Sequence, residues 1–192
     1  GGQLVADEKI FRRDAVNLLR VFGDAQRLDL TLSSTTREAI RTNAGLLDEV
    51  TAASDPAVEA FFQILGARSG VYRALAEMNR LGVLGCLIPE FGRLFCMVQR
   101  DFYHVYTVDE HSLVGVRELE LLRGGTYIQE SPVLTQIMRE CPHADLIFLS
   151  MMFHDLGKGY GGDHDEKGAL MVRDIAARLQ ISEEDTCALE FL

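Results

Sequence analysis

Apolar residues return every three or four positions along nearly the whole chain, and strand-like alternation is almost missing. That period puts the apolar side chains on one face of a helix, so it confines the chain to packed helices. Ile10, Val16, Leu18, Leu19 and Phe22 make one such stripe, with Gly23 as its expected stop. Thr35 and Glu38 have the spacing of a capping box, which opens a helix carrying Ile40, Leu46, Leu47 and Val50. Asp55-Pro56 sets an N-cap before a proline at the first helical position. Val58, Phe61, Phe62, Ile64 and Leu65 follow as a core face. Ser69 opens another helix through Tyr72, Leu75 and Met78 to Leu81, which Gly82 ends. Residues 84–91 contain Gly85 and Pro89 and read as a turn or short helix at a soft boundary near residue 90.

The second half repeats the pattern. Thr107 and Glu110 form another capping box, opening a helix with Leu113, Val116, Leu119 and Leu122 that Gly124-Gly125 ends. Pro132 begins the next, with Val133, Leu134, Ile137 and Met138. Ala144 to Phe153 is strongly apolar and closes at Gly157. A glycine-rich loop then leads to a helix from His164 to Leu179, and Ser182 caps a last one. Only residues 102–108 suit an extended piece. The expected fold is all-α, a helical region over 1–90 followed by a second helical unit over 91–192.

Of the 192 residues 47% are apolar and 25% charged, ordinary values for a folded chain. Nineteen basic against 29 acidic residues give a net charge of -10, which disfavours binding along a nucleic-acid backbone. No apolar stretch reaches the roughly 18 residues of a membrane span. Cys86, Cys96, Cys141 and Cys187 are scattered without a signal peptide, so they read as reduced thiols in a cytoplasmic protein. Gly1-Gly2 resembles a cloning scar, and residues 186–192 still follow an apolar helical pattern, so the chain reads as a piece of a longer one.

The five histidines carry the chemical signal. His154-Asp155 ends the most apolar helix, where ionisable groups must be paired or metal-bound to offset desolvation. A mixed imidazole and carboxylate set suits a transition-metal ion. The competing reading makes His154 a C-terminal cap and Asp155 the partner of a surface salt bridge to Lys158. His111 upstream and His164 downstream favour the metal. Asp163 and Asp165 flank His164 and can orient ligands, act as a general base or cap the helix. His104 and Tyr106 can line a pocket or pack in the core. His143 reads as a surface turn residue, Met151 and Met152 as core filler, and Arg12 and Arg13 as solvent-exposed.

His111 with Phe153-His154-Asp155-Leu156-Gly157-Lys158-Gly159 resembles the HD superfamily of metal-dependent phosphohydrolases. Residues 101–111 and 159–169 are further similar to the HD domain of the bifunctional PII uridylyltransferase/uridylyl-removing family. The helical segment from Phe11-Arg12-Arg13-Asp14-Ala15-Val16 is similar to the region joining that family's nucleotidyltransferase domain to its HD domain. The resemblance implies a divalent metal, Mg or Mn first and Fe or Zn also, held by His111, His154 and Asp155 with His164 as a further ligand. It implies Lys158 on a phosphate oxygen, with Asp155 able to bridge two ions; Asp163 is the general-base candidate from the loop reading alone. The implied partner is the uridylylated PII signal protein, whose uridylyl-tyrosine is hydrolysed to release UMP in nitrogen regulation. The superfamily's last aspartate ligand lies beyond Leu192, since Asp174 and Asp185 come too early, and the nucleotidyltransferase motif is missing. The expectation is therefore an incomplete site with weak or no activity in this chain alone. Another HD nucleotide phosphohydrolase and a non-catalytic docking module remain the alternatives.

Overall fold

The computed structural model describes residues 1–97, 106–159 and 164–191. Among these residues the fold is all-α. Thirteen helices run in order: α1 (Lys9–Arg13), α2 (Asn17–Arg27), α3 (Ser34–Asn43), α4 (Glu49–Ala52), α5 (Asp55–Gly66), α6 (Val71–Arg80), α7 (Val83–Leu87), α8 (Pro89–Gly92), α9 (Val108–Gly124), α10 (Pro132–Glu140), α11 (Ala144–Phe153), α12 (His164–Arg178) and α13 (Glu183–Phe191). The described strands are β1 (Gln3–Leu4) and β2 (Thr31–Leu32), a parallel pair too short to have shown a period. No helix among the described residues is long and apolar enough to cross a membrane.

Several boundaries differ from expectation for identifiable reasons. The first stripe is two helices, because Asp14 leaves helical geometry at φ -152° and ψ 110°. Its carboxylate accepts the Val16 N–H at 3.0 Å and pairs with Arg20 at 2.8 Å, which restarts the chain as α2. Gly23 does not stop α2, which runs on to Arg27 and buries Leu18, Leu19, Val21, Phe22 and Ala25. Core packing here outweighs the weak helix preference of glycine.

The Thr35–Glu38 box is displaced by Ser33, whose hydroxyl accepts the Thr36 N–H at 3.1 Å and caps α3. Thr36 Oγ1 in turn accepts the Ala6 N–H and donates to the Leu4 carbonyl, tying the amino-terminal segment to α3. α3 stops at Asn43, so Leu46 and Val50 lie beyond it, and Asp48 caps the short α4. Thr107 occupies the N-cap of α9 as expected, but its side chain makes no capping hydrogen bond. The Asp109 and Glu110 charges in that first turn suit the positive end of the helix dipole.

Helix α9 organises the rest. It packs on α6 along one face and on α10 and α11 along others. Leu113, Val116, Phe148, Leu149, Met152 and Phe153 are buried where α9 meets the second half of the core. Toward α6, Asn79 Nδ2 donates to Asp109 Oδ2 at 2.8 Å inside the core. The Glu120 carboxylate accepts the free N–H groups of Gly70, Val71 and Tyr72, and so caps α6 from another helix. Gly70 sits at φ 80°, which suits glycine and frees its N–H to face that carboxylate. Arg123 Nη1 donates to the Ala67 carbonyl at 3.0 Å one turn further along.

These polar ties hold α9 in register against α6. Glu120→Ala leaves three N–H groups without their acceptor, and we expect a loss of about 1–2 kcal/mol in urea unfolding with the helical circular dichroism spectrum retained.

Candidate metal centre

Helix α11 is apolar on all sides, and at its end Asp155 is buried while His154 stays exposed. His154 follows it as the C-cap, with its N–H still bonded to the Ser150 carbonyl at 3.0 Å. A 3-10 turn, Leu156–Gly159, then tightens the chain. The Lys158 N–H meets the Asp155 carbonyl at 3.1 Å, which folds the lysine back over the aspartate. Asp155 is 5% exposed although it carries a carboxylate.

The three expected ligands converge. One donor atom each from His111, His154 and Asp155 lie within 4.8 Å of one another. The two imidazole rings are 5.6 Å apart between centroids and tilted by 56°. His111 comes from the first turns of α9, so the cluster forms only because α9 and α11 pack side by side.

Hydrogen bonds set the ring chemistry. His154 Nδ1 lies 2.7 Å from the Met151 carbonyl, which can only accept, so Nδ1 carries a proton. Nε2 of the same ring faces Asp155 Oδ2 at 3.2 Å. In the neutral ring that places two lone-pair atoms together, which a proton on Nε2 or a cation beside both atoms would relieve. The same oxygen accepts from Lys158 Nζ at 2.7 Å. Burial alone pushes the Asp155 carboxyl upward, but the His154 imidazole and the Lys158 ammonium outweigh it and hold it at about 2. Burial opposes charge on His154, yet its bonds to Asp155 and to the Met151 carbonyl raise it above its ordinary value.

Both sequence readings of the HD pair therefore contain part of the arrangement. His154 does cap α11, and Asp155 does pair with Lys158, but the carboxylate is buried and shared with a histidine. His164 starts α12, but its side chain lies outside the described residues, as do Asp163, the Asp165 side chain and His104. Tyr106 is 47% exposed. It lines a cavity of about 330 Å³ with Tyr72, Asn79, Arg80 and Arg117, on the α6 side of α9. His143 is an exposed turn residue before α11, and Arg12 and Arg13 are exposed. Met152 is core, as expected. Met151 does more than fill space, because its carbonyl orients His154.

Comparison with known proteins agrees with the motifs. Residues 2–87 match the family model described as Uridylyltransferase GlnD third domain. Over 188 residues the chain is 32% identical to a protein of Ruegeria pomeroyi and 35% identical to one of Cereibacter sphaeroides, with 98% of this chain covered. Over 182 residues it is 36% identical to a protein of Caulobacter vibrioides, with 94% covered. All three are named bifunctional uridylyltransferase/uridylyl-removing enzyme. The chain spans 21%, 20% and 19% of their respective lengths, about a fifth.

The two shifts have opposite signs in a stability profile. His154 is raised, so its contribution is present below its unfolded value and lost as pH rises through the folded one. Asp155 is lowered from 3.8 to about 2, so its contribution is present above 3.8 and lost as pH falls toward 2. In chelator-treated protein, the stability advantage over His154→Gln should be fully present below the ordinary histidine value of about 6.5 and shrink as pH rises above it. The advantage over Asp155→Asn should instead fade between about pH 4 and about pH 2, with urea midpoints across pH as the measurement.

Proposed function

We propose that this chain, as a segment matching the bifunctional uridylyltransferase/uridylyl-removing enzymes, carries part of a metal-dependent site that removes uridylyl groups from the PII signal protein. In this reading residues 1–90 are the helical region next to a nucleotidyltransferase domain, and residues 91–192 belong to the HD unit. The observation that carries it is the meeting of His111, His154 and Asp155 around one point.

The donor set fits a divalent cation. His154 keeps its proton on Nδ1, which leaves the Nε2 lone pair available, and the Asp155 carboxylate stays ionised far below neutral pH. Their 3.2 Å separation matches the edge between two neighbouring ligands bonded at about 2.1 Å to one ion. Two nitrogens and one oxygen suit Mn, Fe or Zn, and Mg with added water oxygens. Bound there, the ion would neutralise phosphoryl charge and make a water acidic enough to act as nucleophile near neutral pH.

The chain's own residues do the remaining work. His111, His154 and Asp155 hold the ion, and Met151 fixes the His154 ring through its carbonyl. Lys158, now paired with Asp155, is close enough to turn its ammonium toward a phosphate oxygen. His164 is assigned as a further ligand, and Asp163 as the proton acceptor on the loop before α12. Hydrolysis breaks the bond between phosphorus and the tyrosine oxygen, adds the water oxygen to phosphorus, and releases UMP and the free tyrosine hydroxyl. The setting is cytoplasmic, where the free thiols of Cys86, Cys96, Cys141 and Cys187 stay reduced.

Calorimetric titration with Mn²⁺ tests the site. We expect binding by the chain, stronger binding when it is lengthened to the relatives' full HD region, and loss of binding in Asp155→Ala in both. UMP release from uridylylated PII should follow the same order by chromatography. Absence of binding in both lengths would overturn the hydrolase reading.

A further inference from the structure

Two residues that bind nothing themselves sit where α9 and α11 touch. Gly115 lies four residues after His111 on α9, and Met151 lies three before His154 on α11, so each is one turn from a histidine of the cluster. A methyl group on Gly115 would stand 2.6 Å from Met151 Cε and Sδ and 2.7 Å from its Cγ. Those are distances at which something must move. The end of a methionine swings easily, but Cγ is close to its backbone. Phe148, one turn earlier on α11, and Met152, the next residue, are fully buried and leave that helix little freedom to adjust. Glycine is also a poor helix former, and α9 holds this one in its interior.

Met151 thus meets the site twice. Its side chain sets how near α9 can come, and its carbonyl accepts the proton on His154 Nδ1. Pressure on the side chain from position 115 is transmitted to that carbonyl and from there to the ring. On the same contact depends the separation of His111 from His154, since each is fixed to its own helix one turn away.

We infer that Gly115 is a positioning residue: its missing side chain lets Met151 seat between α9 and α11, and this seating brings His111 within reach of His154 and Asp155. The inference rests on the metal reading for its functional meaning, but not for its geometry. Gly115 has no side chain to offer a ligand atom, and nothing in the HD motif itself points to it.

The experiment is a volume exchange with two readouts. The variants are Gly115→Ala, Gly115→Val and each of these combined with Met151→Ala, with circular dichroism as the check on folding. The first readout is Mn²⁺ affinity by calorimetry. The second is the ¹⁵N signature of the His154 ring in metal-free protein, which reports whether Nδ1 keeps its proton.

Gly115→Val should weaken Mn²⁺ binding by about 10- to 100-fold, the range for losing an outer support of a metal ligand, and lower the Nδ1–H population. Gly115→Ala should do the same to a smaller degree, and it decides the matter if the valine variant does not fold. Adding Met151→Ala, which retains the carbonyl, should restore most of both signals.

A folded single variant with unchanged affinity and unchanged ring signature would overturn the inference. So would a loss that Met151→Ala does not relieve. If the parent chain takes up no Mn²⁺, the metal reading fails, while the ring signature still decides whether Gly115 and Met151 position His154.

Discussion

A carboxylate buried at the end of an apolar helix has to have positive charge beside it, and the candidate site follows from that requirement. Asp155 is 5% exposed, and an unpaired charge in that setting costs several kcal/mol. The chain meets the cost locally, with His154 before it and Lys158 three residues after it, both on the same oxygen. The 3-10 turn at Leu156–Gly159 makes this possible by bringing the lysine back. What the local sequence cannot provide is the second imidazole, which comes from α9 and depends on tertiary packing.

That dependence gives α9 a double task. One face carries His111 to α11, while the opposite face, through Asp109 and Glu120, is bound to Asn79 and to the start of α6. The region matching the GlnD third domain ends at residue 87, before α9 begins. Yet its helix α6 is what holds α9 from behind. A further tie crosses the same point, from Gln180 to Asp55. The buried apolar cluster is likewise continuous from Phe11 to Leu189. The helical region therefore packs directly behind the helix that carries His111.

Most helices were legible because a 3.6-residue apolar period survives whatever surrounds it. Pro132 at a helix start, Gly125 in the left-handed region after α9 and Ser182 accepting the Asp185 N–H before α13 all act where local rules put them. The misread boundaries are those where two local rules competed. Ser33 took the cap that Thr35 and Glu38 also fitted, and Gly23 was carried inside α2 by the burial of Phe22 and Ala25. In the site, His154, Asp155 and Lys158 were legible because they are adjacent, and His111 through its motif. The Met151 carbonyl and the space at Gly115 were not, since a backbone oxygen and an absent side chain leave no residue-type signal.

Charge gives the site a direction. A chain of net charge -10 attracts divalent cations and repels phosphodiesters over the distances that salt does not screen. In the proposed reading the cation would enter with the field, whereas a uridylyl group would approach against it and need local positive charge to be held. Lys158 is the cationic side chain that contacts the Asp155 carboxylate, and that carboxylate is what a bound ion would claim. Uptake of the ion would then loosen the lysine from its partner at the point where a phosphate oxygen needs it. In that reading the same field would favour departure of an anionic product. An acidic protein surface and a cationic centre would thus be compatible parts of the proposed site, with attraction confined to the few ångströms around Asp155.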